Sequence, residues 1–298
     1  MKQPLFTGVC TALVTPFTED GIDTNALTRL VEWQIEHGVS ALLACGTTGE
    51  PSTLEDREWA LAVDTVIQAA NRRVPVIAGT GGNNTAQVIR LAKQARSLGA
   101  DAQLCVTPYY NKTTQQGLQA HFTAIAEDGS LPLILYHVPA RTGLLMAPET
   151  VAALAGHPMV IGMKEASGDL ALASDMMRLS GDWIAFYSGA DEVTVPLMAL
   201  GALGVISVLS NVAPALTAEL AGRMLSGQYR EAAALQFNLM PLIHALFREV
   251  NPIPAKAALS MMGRCQDRLR LPLVPMGDAN RALLKQELEA LGLLSQAS

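Results

Sequence analysis

The sequence repeats one local pattern eight times: a short apolar run rich in β-branched residues, then a segment whose apolar side chains have helical spacing. Between the first two runs, for example, Leu27, Leu30, Val31 and Ile35 fall on one face of a helix. Continuously apolar strands that alternate with amphipathic helices are typical of a parallel sheet covered by helices. The runs are 9–15, 41–45, 74–78, 102–106, 133–138, 160–164, 184–188 and 205–208.

Eight such units predict a closed (β/α)8 barrel, the TIM barrel, over residues 1–224. A doubly wound open sheet is the alternative, but it usually has fewer strands, and no GxGxxG motif follows the first run. After this point the pattern is helical over 227–250, 255–263 and 278–293, and Pro252 and Pro254 interrupt it. Because no low-complexity linker intervenes, residues 225–298 are predicted to form a helical region packed on the barrel.

Composition excludes several classes of function. Half of the 298 residues are hydrophobic, 16% are charged and the formal net charge is −6, without the basic patch of a nucleic-acid-binding protein. No run of eighteen apolar residues predicts a membrane span, and the N-terminus lacks the apolar core of a signal peptide. The four cysteines form no CxxC pair, which favours buried free thiols in a reducing compartment. We therefore expect a cytoplasmic protein without nucleic-acid or membrane partners.

The polar residues at the strand ends are the candidate site, because barrel enzymes place their active sites at the carboxyl ends of the strands. Lys164 ends the sixth run and Tyr136 lies at the end of the fifth. Thr47 and Thr48 lie in a turn flanked by glycines after the second run, and Arg141 follows the fifth. Such a turn and an arginine suit carboxylate groups.

These residue types together point to Schiff-base chemistry on a 2-oxo acid. Burial disfavours the charged form of an amine, and a neutral amine attacks carbonyl carbon. A phenol such as Tyr136 transfers protons. Each residue alone has a simpler interpretation: Lys164 marks where a strand meets water, the Thr47–Thr48 segment is only a turn, and Arg141 is a solvated surface charge. The hypothesis depends on their falling at the same end of successive strands.

Other patterns carry less chemistry. The five histidines show no metal-ligand spacing, so no metal site is predicted. The GTGGNN segment at 79–84 is suited to a phosphate, but an ordinary strand-to-helix turn is the favoured interpretation. Asp191 and Glu192 are expected to begin the next helix, where acidic side chains complement the helix dipole.

Seven motifs, in this order, give the chain a resemblance that covers essentially its whole length. The chain resembles the pyruvate-dependent class I aldolases of the N-acetylneuraminate lyase superfamily, and within it the dihydrodipicolinate synthase branch. The motifs are GTTGE (46–50), VTPYYNK (106–112), LYHVPARTG (135–143), GMKEASG (162–168), SGAD (188–191), GVISV (204–208) and NPIPAK (251–256).

The resemblance implies roles for individual residues. Lys164 is expected to form the imine with pyruvate, without any cofactor. Tyr136 is expected to shuttle protons, linked through Thr47 to Tyr110, which the neighbouring subunit of a tight dimer supplies. The Thr47–Thr48 turn is expected to hold the pyruvate carboxylate. The resemblance implies a homotetramer built from two tight dimers, and the dimer found in some members is the alternative.

The resemblance also implies the second substrate. Backbone groups of Gly189 and Ile206 would line the pyruvate pocket, and Arg141 would hold the carboxylate of aspartate-4-semialdehyde. Condensation would give 4-hydroxy-tetrahydrodipicolinate for lysine and diaminopimelate biosynthesis. Two alternatives remain open: a pyruvate-dependent lyase acting on a 2-keto-3-deoxy sugar acid, and a non-catalytic binding protein. GTTGE, where sialic-acid lyases typically have GSTGE, and Arg141 favour the synthase.

Two departures from the family pattern yield further expectations. His137 replaces the asparagine of the YNVP motif, and we expect an effect on packing only, since His137 and Tyr136 point to opposite faces of a strand. In the lysine-feedback pocket of related enzymes, Trp59 and Asp56 replace histidines and Gln87 replaces a glutamate. We therefore expect weak or absent inhibition by lysine.

Overall fold

Eight parallel strands close into a barrel within residues 2–294, the part of the chain that the structure, a computed structural model, describes. The predicted TIM barrel is therefore confirmed. In chain order the strands are β1 (Gly8–Ala12), β2 (Phe17–Thr18), β3 (Gly21–Ile22), β4 (Ala41–Ala44), β5 (Val76–Gly79), β6 (Ala102–Val106), β7 (Leu133–His137), β8 (Val160–Glu165), β9 (Ala185–Ser188) and β10 (Gly204–Ser207). The barrel order is β1-β10-β9-β8-β7-β6-β5-β4, and β2 and β3 form a separate antiparallel pair.

Twelve α-helices accompany the strands in the described part of the chain. They are α1 (Thr24–Glu36), α2 (Asp56–Ala70), α3 (Thr85–Leu98), α4 (Gln115–Gly129), α5 (Pro139–Thr142), α6 (Pro148–Ala155), α7 (Leu170–Ser180), α8 (Thr194–Ala199), α9 (Pro214–Leu225), α10 (Tyr229–Leu246), α11 (Ile253–Met261) and α12 (Asp278–Ala290). Several begin with side-chain caps, such as Asp23, whose carboxylate accepts a hydrogen bond from the backbone of Ala26 at 2.9 Å.

Prolines shift two boundaries from the predicted positions. The third run was expected to begin at residue 74, but β5 begins at Val76 because Pro75 has no N–H to donate. The Pro75 carbonyl still accepts a hydrogen bond from the Leu42 N–H at 3.0 Å. The expected interruption at Pro252 and Pro254 is present between α10 and α11, but α11 begins at Ile253 and not at residue 255. Pro254 lies in its first turn, where the missing N–H has no helical partner to lose.

The barrel interior and the C-terminal helices have separate apolar cores. Inside the barrel, Cys10, Leu43, Ile134 and Tyr136 belong to one buried cluster. A second cluster packs the C-terminal helices against α1 and the residues that follow β1 and β10. It includes Val14, Leu30, Val208, Leu242 and Leu259. Because this second cluster contains residues of both regions, the C-terminal helices pack on the barrel. The division at residue 225 stays a prediction. None of the described helices combines the length and apolar character needed to cross a bilayer.

Candidate active site

Lys164 and Tyr136 lie side by side at the carboxyl end of the barrel. Strands β7 and β8 are parallel neighbours, and their register pairs Tyr136 with Lys164 directly. Both side chains are buried, with 6% of Tyr136 and 5% of Lys164 exposed. The Lys164 Nζ atom is 4.5 Å from the centre of the Tyr136 ring. Lys164 therefore does not mark where a strand meets water.

A cavity of about 120 Å³ brings together six of the eight predicted site residues. They are Thr47, Thr48, Tyr136, Arg141, Lys164 and Gly189. The other two are placed differently: Ile206 is fully buried inside β10, and the Tyr110 side chain is 92% exposed. Within one chain, the structure therefore assembles a lysine, a phenol, two hydroxyls and a guanidinium, but not the second tyrosine.

The Thr47–Thr48 turn is a short 3-10 helix over Thr47–Gly49. Its fold is fixed by the Gly49 N–H, which donates to the Gly46 carbonyl at 2.8 Å, and by the Thr15 hydroxyl, which donates to the Gly49 carbonyl at 2.7 Å. A side chain at Gly46 would lie 2.7 Å from the end of the Leu43 side chain, which would have to move to make room for it. The turn after β4 therefore places two adjacent threonines at the cavity, and these hydrogen bonds restrain its backbone.

Asn251 contributes to the site from outside the barrel strands. Its amide nitrogen donates to the Thr48 Oγ1 at 2.9 Å, and its backbone carbonyl lies 3.5 Å from an Arg141 guanidinium nitrogen. Asn251 also lines the 120 Å³ cavity. Asn251 precedes α11 and follows no strand, so the strand pattern does not indicate it; its only signal in the sequence is the NPIPAK motif.

Asp191 fixes the end of the last barrel strand. Its carboxylate accepts hydrogen bonds from the Ser207 hydroxyl at 2.6 Å and from the Val208 and Leu209 N–H groups at 3.0 and 2.9 Å. Burial raises the pKa of Asp191, and these hydrogen bonds oppose that shift. Asp191 begins a 3-10 helix, as the sequence indicated, but its bonding to the strand end was not foreseen.

A second cleft, of about 490 Å³, opens beside the first and shares Thr47, Tyr136 and Arg141 with it. Residues 79–83 of the glycine-rich segment line this cleft. A side chain at Gly79 would lie 2.1 Å from the Cys45 carbonyl, so this glycine serves close backbone packing and supports the ordinary-turn interpretation. Across residues 2–294, no three His, Cys, Asp or Glu side chains are grouped so as to hold a metal ion.

Comparison with known proteins agrees with this geometry. The model of the dihydrodipicolinate synthetase family matches residues 5–291. The chain belongs to this family. A relative from Geobacter sulfurreducens, named 4-hydroxy-tetrahydrodipicolinate synthase, is 50% identical over 280 residues, which cover 94% of this chain and 97% of the relative. A relative of the same name from Pelobacter propionicus is 48% identical, covering 97% of this chain and all of the relative.

A solved structure of a family member supports the same assignment. The chloride-inhibited dihydrodipicolinate synthase from Acinetobacter baumannii, complexed with pyruvate, superposes with a TM-score of 0.95. It is 44% identical and covers 97% of this chain and 99% of its own. At this identity, the likeness extends beyond the barrel fold to the family.

His137, at the position where the resemblance implies asparagine, forms a buried polar pair. The His137 Nδ1 lies 3.1 Å from a Glu165 oxygen, and both side chains are buried. Because the His137 Nε2 accepts a hydrogen bond from the Met146 N–H at 3.2 Å, the Nδ1 carries the proton and donates to Glu165. His137 thus ties β7 to β8 and to the following loop, while Tyr136 packs in the barrel interior, as the strand alternation predicted.

Proposed function

We propose that this chain condenses pyruvate with L-aspartate-4-semialdehyde to give 4-hydroxy-tetrahydrodipicolinate, a lyase-type step of lysine and diaminopimelate biosynthesis. The observation that carries the proposal is the buried Lys164 beside Tyr136, in a cavity that also holds Thr48 and Arg141. The names of relatives that are about half identical support it.

In the proposed reaction, the Lys164 amine attacks C2 of pyruvate and loss of water leaves an imine. The imine draws electrons from the neighbouring methyl group, which loses a proton and gives an enamine. The enamine carbon attacks the aldehyde carbon, a C–C bond forms, and the aldehyde oxygen gains a proton. The amine of the second substrate then attacks C2 and releases Lys164. Tyr136 carries the protons, and no cofactor is needed because the imine itself withdraws the electrons.

The remaining site residues bind and orient the two substrates in this proposal. Thr48 and the turn around it hold the pyruvate carboxylate, and Arg141 holds the carboxylate of the semialdehyde with its planar pair of donors. Backbone groups of Gly189 and Ile206 complete the pyruvate pocket. Gly189 suits this role because any side chain there would collide with Lys164.

The proposed assembly is a homotetramer of tight dimers in the cytoplasm, with no nucleic-acid or membrane partner. Tyr110 supports a shared site: its side chain is 92% exposed in the single chain. In a tight dimer, it would reach Thr47 of the neighbouring subunit and complete a proton relay with Tyr136. Tyr110→Phe and Thr47→Val should each lower activity, and mixing the two variants should restore part of it. No recovery from mixed dimers would contradict the shared site.

The direct test is mass spectrometry of the protein after incubation with pyruvate and borohydride. We expect a reduced pyruvate adduct on Lys164, with the other lysines of the chain as internal controls, and no adduct in Lys164→Met. Turnover with aspartate-4-semialdehyde then separates the synthase from a sugar-acid lyase, which would instead cleave 2-keto-3-deoxy sugar acids. A folded protein without an adduct would contradict the mechanism and favour the binding-protein alternative.

A further inference from the structure

Lys256 is a fully buried lysine outside the cavity that holds Lys164. It lies on α11, and its ammonium is 2.5 Å from a Glu50 carboxylate oxygen and 2.8 Å from the Arg268 carbonyl. It also lies 3.9 Å from the centre of the Phe17 ring. Burial lowers the pKa of Lys256, and attraction by Glu50 opposes that shift. The mechanism above uses neither Lys256 nor Glu50.

Glu50 directly follows the turn that carries the two site threonines. It adopts a left-handed backbone conformation, with φ of 54°, and its N–H donates to the Thr47 carbonyl at 3.2 Å. This conformation costs a residue with a side chain about 1–2 kcal/mol and persists only where surrounding contacts enforce it. The enforcing contacts are the Lys256 ammonium and the Arg270 N–H, which donates to the other carboxylate oxygen of Glu50 at 3.2 Å.

One segment therefore holds the turn at its middle residue and at the residue that follows it. Asn251 bonds the hydroxyl of Thr48, and Lys256, five residues further along the chain, pairs with Glu50. Stability alone does not require an ion pair here, because apolar side chains of similar volume usually replace a buried pair at little or no cost. A charged pair, in contrast, fixes the position of the Glu50 carboxylate and with it the backbone of the turn.

We propose that Lys256 is a positioning residue for the condensation: through Glu50 it fixes the Thr47–Gly49 turn in the orientation that receives the pyruvate carboxylate. This inference rests on the proposed function. It assigns a role to the contacts between two motifs of this chain, GTTGE and NPIPAK, which lie far apart in the sequence.

The test compares Lys256→Met with the double variant Glu50→Gln/Lys256→Met and with Arg281→Met as a control. Arg281 also forms an ion pair in the C-terminal region, but its partner is Asp267 and not a residue of the turn. Two quantities are measured for each protein: the thermal midpoint, and the pyruvate concentration that gives half-maximal borohydride-trapped adduct on Lys164. The second quantity reports on pyruvate binding and not on folding.

We expect Lys256→Met to lower the thermal midpoint, because it leaves Glu50 buried and unpaired, and to raise the pyruvate requirement about 10- to 100-fold. The double variant should regain the thermal midpoint but keep the raised pyruvate requirement, with kcat at saturating pyruvate much less affected. Arg281→Met should leave the pyruvate requirement unchanged. If Lys256→Met does not fold, Glu50→Gln, which keeps the side-chain shape, should show a smaller rise in the same direction.

The two proposals fail in different ways. A wild-type pyruvate requirement in the folded double variant, or in Glu50→Gln, would overturn the positioning role and leave the proposed function intact. Absence of an adduct in the wild-type protein would instead contradict the proposed function, and the positioning role with it.

Discussion

At Gly189, the addition of a single methyl group should disturb the proposed chemistry, because the methyl group would lie against Lys164. Its φ lies outside the left-handed region, so alanine is compatible with the backbone. A methyl group there, however, would lie 2.6 Å from the Ala166 side chain and 2.8 Å from the Lys164 Cε. Ordinary van der Waals contact begins at 3.4 Å, so the lysine would have to retreat by about half an ångström or more.

Lys164 has little room for that retreat because it is buried against the Tyr136 ring. We expect Gly189→Ala to lose about 1–3 kcal/mol of stability through overpacking. Because a displacement near 1 Å at a reacting group costs up to about 100-fold in rate, kcat/KM should fall by about 10- to 100-fold. The trapped pyruvate adduct on Lys164 should form correspondingly more slowly.

The matched control for this variant is Gly222→Ala. Gly222 is an exposed glycine in α9 with open space around its position. Alanine there should stabilise the helix by about 1 kcal/mol and leave kcat/KM unchanged. The assay is steady-state turnover with both substrates, combined with thermal unfolding of each variant. If Gly189→Ala retained wild-type kcat/KM and adduct formation, the argument that this contact fixes Lys164 would be wrong.

Three further predictions concern stability and regulation. Hydrogen bonds from Arg270 lower the pKa of Glu58 to about 2. The ionised Glu58 therefore stabilises the folded protein at pH values above its usual pKa, and this stabilisation is lost as the pH falls toward 2. Between about pH 5 and 3, the thermal midpoint of Glu58→Gln should therefore fall less than that of the wild type. Asp191→Asn should cost about 1–3 kcal/mol, measured by urea unfolding, because an amide cannot accept all three of the hydrogen bonds that the carboxylate receives. Lysine should inhibit weakly or not at all. In the 490 Å³ cleft, Gln87 has no negative charge to pair with an ammonium group, and the Trp59 indole N–H already donates a hydrogen bond to the Gly79 carbonyl at 3.0 Å. Strong cooperative inhibition in a lysine titration would contradict this prediction.

The barrel could be predicted from the sequence because its strands are buried on both faces. Such strands are apolar throughout, and eight of them in alternation with amphipathic helices leave few other topologies. The predicted boundaries are wrong where a single proline changes the start of a strand or helix. Pro75 delays the start of β5 because it lacks an N–H, and Pro254 is accepted in the first turn of α11, so this helix begins two residues before the predicted position.

The site was predictable to the extent that it lies on strand ends. Neighbouring parallel strands place their last residues side by side, and this brings Lys164 against Tyr136 and both near Thr48. Asn251 and Lys256 follow no strand, and periodicity in the sequence does not show which loop a C-terminal helix will contact. Their proximity to the Thr47–Gly49 turn is a property of tertiary packing, with the contacts made across some 200 residues of chain.

Tyr110 is the predicted catalytic residue that does not reach the site within a single chain. Its side chain is 92% exposed, and its φ of 68° lies in the left-handed region, which is costly for a bulky residue. A strained backbone that projects an aromatic ring into solvent is explained if the ring is buried against a second copy of the chain. Activity should then fall when the protein is diluted until dimers dissociate, and more steeply than the thermal stability of the barrel. A monomer with full specific activity would contradict the contribution of Tyr110 from a second subunit.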